Sequence, residues 1–167
     1  KDSQDYNEIM KALDQLKEVN RYVNDEKKRV KRIQRLMKIS RKLYNCPNGF
    51  DFMNITAKKR DYLGQCPMTI SFRGSTLIRQ IIVFSDAIMV ARKKISPYSG
   101  SRNLCFRYVF YFDTTRIIIP NDKSLNLVDE KQTSVTLIAD SKVSTEFLVS
   151  LKGVLKRYQR KSIKINE

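Results

Sequence analysis

Histidine is absent from this chain of 167 residues, and its absence excludes several kinds of active site. Without it there is no Ser–His or Cys–His nucleophilic pair, and most zinc sites lose a common ligand. Only five glycines are present, and neither GxxxxGK[ST] nor GxGxxG occurs, so phosphate-binding loops of those types are excluded too. We therefore expect no cofactor, no metal site and no enzymatic chemistry within the chain.

Cysteine is also scarce. Cys46, Cys66 and Cys105 are an odd number, widely spaced and without a CxxC pair, which predicts reduced, buried thiols in an intracellular protein. No apolar run approaches the roughly 18 to 20 residues that span a bilayer. The first residues are polar and charged, so we do not expect a signal peptide.

Positive charge, by contrast, is abundant. The chain has 33 Lys plus Arg against 17 Asp plus Glu, a formal net charge of +16. Such a balance predicts an anionic partner: a nucleic acid, an inositol-lipid surface or an acidic protein face. The net charge alone does not distinguish among these three kinds of partner.

Residues 1–45 contain neither Gly nor Pro, and their apolar residues recur mostly every three or four positions. This spacing predicts one helix of about 40 residues, roughly 60 Å long. A helix of that length must extend beyond a small domain or pack on something else. The segment Asn45-Cys46-Pro47-Asn48-Gly49 is expected to end it.

After this helix the pattern changes to short β-rich runs. Strands are predicted near 62–72, 77–84, 87–93, 104–112, 115–119, 125–129 and 133–139. Ser85-Asp86 and Pro120-Asn121-Asp122-Lys123 are predicted turns, and 96–101 a loop. A closing helix, capped by Ser141 or Ser144, carries an apolar stripe: Phe147, Leu148, Leu151, Val154, Leu155 and Tyr158. The expected class is α+β, a seven-stranded antiparallel barrel or sandwich closed by a helix.

Two segments resemble a known family. Residues 79–92, Arg79 through the Phe84-Ser85-Asp86 turn to Arg92, resemble a hairpin of pleckstrin-homology (PH) domains from Dbl-family exchange factors for Rho GTPases. Residues 12–27 resemble the last helix of the Dbl-homology (DH) domain that precedes such a PH domain. The resemblance implies a DH helix at 1–45, a connector at 46–60, a PH domain at 61–162 and a tail at 163–167. The closing-helix Trp usual in PH domains is replaced by Phe147.

The resemblance also implies where function would lie. Five basic residues are expected near one open end of the barrel, where they would bind an anionic membrane or phosphoinositide weakly: Arg73, Arg79, Arg92, Lys93 and Lys94. Arg73 and Arg79 are expected in the first strand-to-strand loop. Asn24 corresponds to the DH residue that faces the GTPase. The exchange residues proper would lie upstream, so we expect a non-catalytic module, cytoplasmic and peripheral at the membrane or cell cortex, without exchange activity.

Alternative interpretations remain. One is a basic nucleic-acid-binding domain, a basic helix plus a small β-barrel, which the net charge of +16 fits equally well, although we expect no nucleic-acid partner. Phe106, Tyr108, Phe110 and Phe112 alternate beside basic residues, as in single-strand nucleic-acid platforms, but one buried strand face explains this alternation better. A PH-like scaffold that binds protein by strand addition needs no lipid. The basic run 27–42 is a further candidate anion surface, or simply a solvated helix face. The apolar stripe of the first helix could pair two copies of the chain as a homodimer.

Overall fold

The computed structural model describes residues 2–46, 60–94 and 103–163, with side chains over 6–46, 60–94 and 103–158. Several predicted segments lie wholly or mostly outside the described residues. They are residues 47–49 of the segment predicted to end the helix, most of the 46–60 connector, the 96–101 loop and nearly all of the 163–167 tail.

The chain begins with one long helix, α1, at Asp2–Lys42. Among the described residues, its last third packs on the strands: Leu36 and Ile39 are buried and Ile33 is partly buried, whereas the apolar residues before Ile33 are exposed. The long helix predicted from the absence of Gly and Pro is confirmed. It ends three residues earlier than predicted, because Leu43 and Tyr44 form a strand instead.

The strands form one sheet in the order β1-β5-β4-β3-β2-β8-β7-β6. They are β1 Leu43–Tyr44, β2 Tyr62–Phe72, β3 Ser75–Phe84, β4 Ala87–Lys93, β5 Leu104–Tyr111, β6 Arg116–Asn121, β7 Ser124–Val128 and β8 Ser134–Ile138. The seven strands from β2 to β8 pair antiparallel, as predicted, and β1 adds a parallel edge to β5. Hydrogen bonding over the described residues leaves the barrel unclosed, with β1 and β6 at its edges.

Two turns are tighter than predicted. The β2–β3 connection is only Arg73-Gly74, with φ of 49° and 77°, so β3 begins two residues earlier than the sequence pattern indicated. The turn predicted at 120–123 shrinks to Asp122-Lys123, because β6 continues through Pro120. Proline is tolerated there because β6 is an edge strand and Pro120 lies in the register shift between Ile118 and Asn121, where it has no paired residue on β7.

The closing helix, α2, spans Lys142–Ile163 and covers one end of the barrel. Ser141 caps it: its Oγ accepts from the Ser144 N–H at 3.2 Å, while Ser144 Oγ accepts from the Ser141 N–H at 2.9 Å. This reciprocal pair acts as a capping box. Leu148, Leu151 and Leu155 then enter the barrel core with the inward residues of the strands.

Phe147 packs against the barrel core in the closing helix. A Cβ on Gly64 would lie 3.4 Å from Phe147 Cε2, so the missing side chain at Gly64 lets the ring approach β2. Burial of a Phe supplies much of the apolar area that a Trp would, without an N–H that needs a partner.

The other face of β3, β4 and β5 is covered by α1. Leu36, Ile39 and Leu43 pack there on strand residues that point away from the barrel core: Ile82, Phe84, Met89, Ala91 and Leu104. At one margin of this second cluster the buried Arg60 forms two close hydrogen bonds to Asp86 (Nε to Oδ1 2.8 Å, Nη2 to Oδ2 2.6 Å). Both faces of these three strands are therefore buried, which explains the unbroken apolar run at 81–84.

Candidate functional site

One end of the barrel is closed by α2 and the other carries a set of strand connections. The β2–β3 turn lies at this second end, since Phe72 pairs with Ser75 across it. The last residues of β4 and the first of β5 lie there too, because β4 runs back alongside β3 and Lys93 pairs with Leu104. The β7–β8 turn joins them, as Ser71 pairs with Thr136 near the start of β8. We call this the basic end.

Arg79, Arg92 and Arg107 share the core-facing side of the sheet at the basic end. Arg79 alternates with Leu77 and Ile81 on β3, and Arg92 with Val90 on β4, all of which face the barrel core. Arg107 joins them through a bulge: Val90 pairs with Tyr108 and Ala91 with Phe106, which leaves Arg107 unpaired between them. A β-bulge changes the direction in which the side chain of the inserted residue points.

The guanidinium group of Arg79 is repelled by those of Arg92 and Arg107. Burial lowers the pKa of Arg79, and the charges of Arg92 and Arg107 lower it further, while Tyr108 acts in the opposite sense. None of the ion pairs among the described residues includes any of the three. An anion bound beside these three guanidinium groups would offset their repulsion. The cluster is therefore a candidate anion-binding site.

An aromatic pair connects the turn to this cluster. The rings of Phe72 and Tyr108 lie 4.9 Å apart, and the guanidinium of Arg73 lies 5.2 Å from the Phe72 ring centroid. Arg73 itself occupies the exposed turn with a positive φ. It therefore lies at the mouth of the basic end, and it is not among the charges that lower the pKa of Arg79.

The two lysines predicted for this site, Lys93 and Lys94, take different positions. Lys93 follows Arg92 on β4 and so belongs to the opposite side of the strand, the side covered by α1. The Lys94 N–H donates to the Asn103 carbonyl at 2.8 Å, which ties the ends of the β4–β5 connection together. The structure thus brings Arg79 and Arg92 together, leaves Lys93 on the other side and adds Arg107, which the sequence interpretation had missed.

Two sequence interpretations were wrong in detail. Arg79 does not lie in the first loop but within β3, paired across from Met68, because the turn uses only two residues. Phe106 does not share a face with Tyr108, Phe110 and Phe112: the bulge at Arg107 turns it toward the α1 side, while the other three face the barrel core. Strict alternation fails because the extra residue changes the strand's phase.

Asn24 lies on the exposed part of α1, away from the basic end. It precedes Leu36 by twelve residues, or about 18 Å along a helix. Around it the helix surface is charged, with exposed pairs such as Lys28–Asp25 at 3.4 Å and Arg29–Glu26 at 3.0 Å. Exposed pairs of this kind contribute little stability.

A row of apolar side chains also lies along α1, spaced by seven residues. Ile9, Leu16, Val23, Val30 and Met37 are each between 40% and 59% exposed. A seven-residue repeat is the spacing at which helices pack against one another in a left-handed supercoil. None of the described helices is long and apolar enough to cross a membrane.

Comparison by sequence finds neither a family model nor a curated protein that matches. Comparison by structure finds fragments of exchange factors. The Vav1 exchange factor, in a structure on the role of its PH and C1 domains, matches with a TM-score of 0.60 and 11% identity over 81% of this chain and 34% of that chain. The DH/PH domains of PDZ-RhoGEF in complex with GTP-gamma-S activated RhoA match with a TM-score of 0.53 and 16% identity over 86% of this chain and 44% of that chain.

The linker-DH/PH domains of p115-RhoGEF match similarly, with a TM-score of 0.53 and 10% identity over 81% of this chain and 43% of that chain. At these identities the likeness establishes the fold: a PH-like barrel preceded by a long helix, as the resemblance implied. The chain spans between a third and just under a half of the solved chains named here.

Proposed function

We propose that this chain is the PH domain of a Rho-family guanine-nucleotide exchange factor together with the last helix of its exchange domain. In this proposal it is a non-catalytic module that positions or regulates the exchange domain at the cytoplasmic membrane surface or cell cortex. The observation that carries the proposal is the continuity of α1 with the barrel: the helix runs directly into β1, and its last third is buried on β3, β4 and β5. Because the two are joined in this way, the orientation of the barrel at the membrane would also fix the orientation of α1.

The comparisons support a GTPase as the partner of the parent protein. One structure with this fold, that of PDZ-RhoGEF, contains activated RhoA. Asn24 is exposed on α1 and is our candidate for the GTPase contact. In the full-length protein, Asn24→Ala should slow nucleotide exchange on a Rho-family GTPase. Asn7→Ala, on the same helix about 26 Å away, is the matched control. Equal exchange by both variants would contradict this assignment.

The apolar row of α1 supports a helical neighbour. In the proposed exchange factor, other helices of the exchange domain pack along Ile9, Leu16 and Val23. Without them, the isolated chain should pair through the same row into a homodimer. Sedimentation at increasing concentration tests this, with Leu16→Lys as the variant that should remain monomeric. A wild-type chain that stays monomeric at high concentration would contradict the prediction that the apolar row of α1 pairs with another helix.

The basic end is our candidate for membrane contact. Each basic residue near an anionic surface contributes on the order of 1 kcal/mol, so Arg79, Arg92 and Arg107 together provide a weak attraction of roughly 3 kcal/mol. This is enough to orient a module that is already held near the membrane by its parent, and too little for tight binding alone. Arg73 at the mouth, with Lys94, extends the same surface.

Vesicle binding tests the membrane contact. Vesicles containing a doubly phosphorylated phosphoinositide should retain the wild-type chain, and Arg79→Glu should release it. The matched control is Arg157→Glu, which makes the same charge change on the exposed side of α2, where Arg157 Nε donates to the Gly153 carbonyl. If both variants lose binding equally, only net charge matters; if neither loses it, the basic end is not the contact.

A further inference from the structure

Tyr44 lies next to the basic end, although it belongs to the segment that continues α1. In β1, Leu43 pairs with Leu104 and Tyr44 with Cys105. Leu43 is buried in the cluster beneath α1. Because successive strand residues face opposite sides, Tyr44 faces the side of the sheet that carries Arg92. The end of the long helix therefore supplies a side chain to the margin of the arginine cluster.

The charges around the Tyr44 phenol agree with this placement. Burial raises its pKa, and a hydrogen-bonding contact with the Cys105 thiol raises it further, while the positive charges of Arg107 and Arg92 lower it. The phenol is thus neutral at physiological pH, and the charges of both guanidinium groups act on it. A neutral hydroxyl among cations is a hydrogen-bond donor for an anion and adds no further repulsion.

We infer that the anion site is shared between the barrel and the end of α1, with Tyr44 as its helix-side wall and a phosphorylated inositol headgroup as its ligand. The inference rests on the proposed function of the basic end. Binding of the headgroup would hold Tyr44 against β5, and a seated Tyr44 would in turn favour the headgroup. The two equilibria are coupled by the same factor in both directions.

The β1 segment is suited to such coupling because its pairing with the sheet is short, although Leu43 anchors it in the cluster beneath α1. Its parallel pairing with β5 covers only two residues, and the next residue, Asn45, has a φ of 57° in the left-handed region. Short edge segments open at a small fraction of the global unfolding free energy. A ligand that contacts one of the two paired residues can therefore shift the opening equilibrium measurably.

The end of the helix has an electrostatic effect of its own. The last carbonyl groups of α1 carry a partial negative charge that disfavours an anion nearby. Arg41 and Lys42 occupy that last turn and offset it. With the three arginines of the barrel opposite, the positive charge prevails, so the helix end does not prevent headgroup binding.

Hydrogen exchange tests the inference on the whole chain. Backbone amides of 43–46 should exchange several-fold more slowly when vesicles with a doubly phosphorylated phosphoinositide, or the soluble inositol phosphate, are added. Inorganic phosphate at the same concentration should give no such protection; equal protection would overturn the assignment to a headgroup. Tyr44→Phe keeps the ring and should weaken binding about threefold to tenfold, the loss of one hydrogen bond to a phosphate oxygen.

The control variant is Tyr22→Phe, an exposed tyrosine on the free part of α1, which should bind like the wild type. Tyr44→Ala should bind more weakly than Tyr44→Phe and lose the protection of 43–46. If the wild type binds, Arg79→Glu does not, and Tyr44→Phe binds normally without a change in exchange, the shared site is refuted while the proposed function stands. If the wild type does not bind phosphoinositide at all, the shared site and the membrane contact proposed for the basic end are both refuted.

Discussion

Removal of the Asp86 carboxylate should destabilise the protein strongly, because it would take away the carboxylate that is hydrogen-bonded to the buried guanidinium of Arg60. Arg60 is only 7% exposed and is held by bonds of 2.8 and 2.6 Å to the two carboxylate oxygens. Its guanidinium also lies 5.6 Å from the Phe84 ring centroid and 5.8 Å from that of Tyr111. Burial by itself lowers the pKa of Arg60, but the hydrogen bonds and charge of Asp86 outweigh it and raise the pKa, so the group stays charged.

Breaking a buried ion pair by removing one partner costs about 3–5 kcal/mol. We expect Asp86→Ala to fall in that range, which corresponds to a decrease of roughly 2 M in the urea midpoint for a typical m-value. The double variant Arg60→Met with Asp86→Ala removes both charges and keeps most of the packing against the rings. It should recover part of the loss, with a coupling free energy of about 2 kcal/mol or more.

Asp14→Ala is the internal control for this cycle. Asp14 pairs with Lys17 at 2.9 Å, but their side chains are 68% and 72% exposed, so the change should stay within about 0.5 kcal/mol. Equilibrium urea unfolding followed by circular dichroism gives all of these values. If Asp86→Ala cost less than about 1 kcal/mol, or no more than Asp14→Ala, the assignment of Arg60 as a buried, charge-dependent anchor would be wrong.

The other predictions concern separate parts of the fold. Leu36→Ala, at the fully buried centre of the α1 contact, should cost about 2–5 kcal/mol in the same unfolding assay, and a loss under about 1 kcal/mol would mean that the helix is not seated there. Ser141→Ala should cost about 1 kcal/mol by removing the α2 cap, whereas Ser150→Ala within the helix should be nearly neutral; equal effects would contradict the capping role. The hydrogen bond from Thr69 lowers the pKa of Asp140, so this carboxylate stabilises the fold above its unfolded pKa of about 3.9 and less as pH falls through the lower folded value. Asp140→Asn should flatten the stability curve in that acidic window, and parallel curves for variant and wild type would refute the assignment.

Much of the fold could be predicted because its signals are periodic. The absence of Gly and Pro before Asn45 predicted the long helix, and short apolar or alternating runs predicted seven of the eight strands in the described part of the chain. β1 escaped prediction because its two residues also continue the helical spacing. Its pairing with β5 is a tertiary contact, which the local spacing of apolar residues does not predict.

The candidate site was predicted less completely, for two physical reasons. Arg107 enters the cluster only through a bulge, which shifts the phase of β5 and cannot be seen in a sequence interpreted as strict alternation. Tyr44 enters only because β1 joins the sheet. Arg60 lies at the other end of the barrel, with Asp86, because β2 begins there.

The burial of both sheet faces determines how the barrel can be produced on its own. A chain begun after residue 59 would uncover the apolar outer surface formed by Ile82, Met89 and Leu104, which α1 otherwise covers. It would also leave β5 as a free edge, since β1 is its outer neighbour. Exposed apolar surface beside an unpaired strand invites aggregation. The smallest soluble unit should therefore begin before Ile33, so the practical domain boundary falls inside the helix.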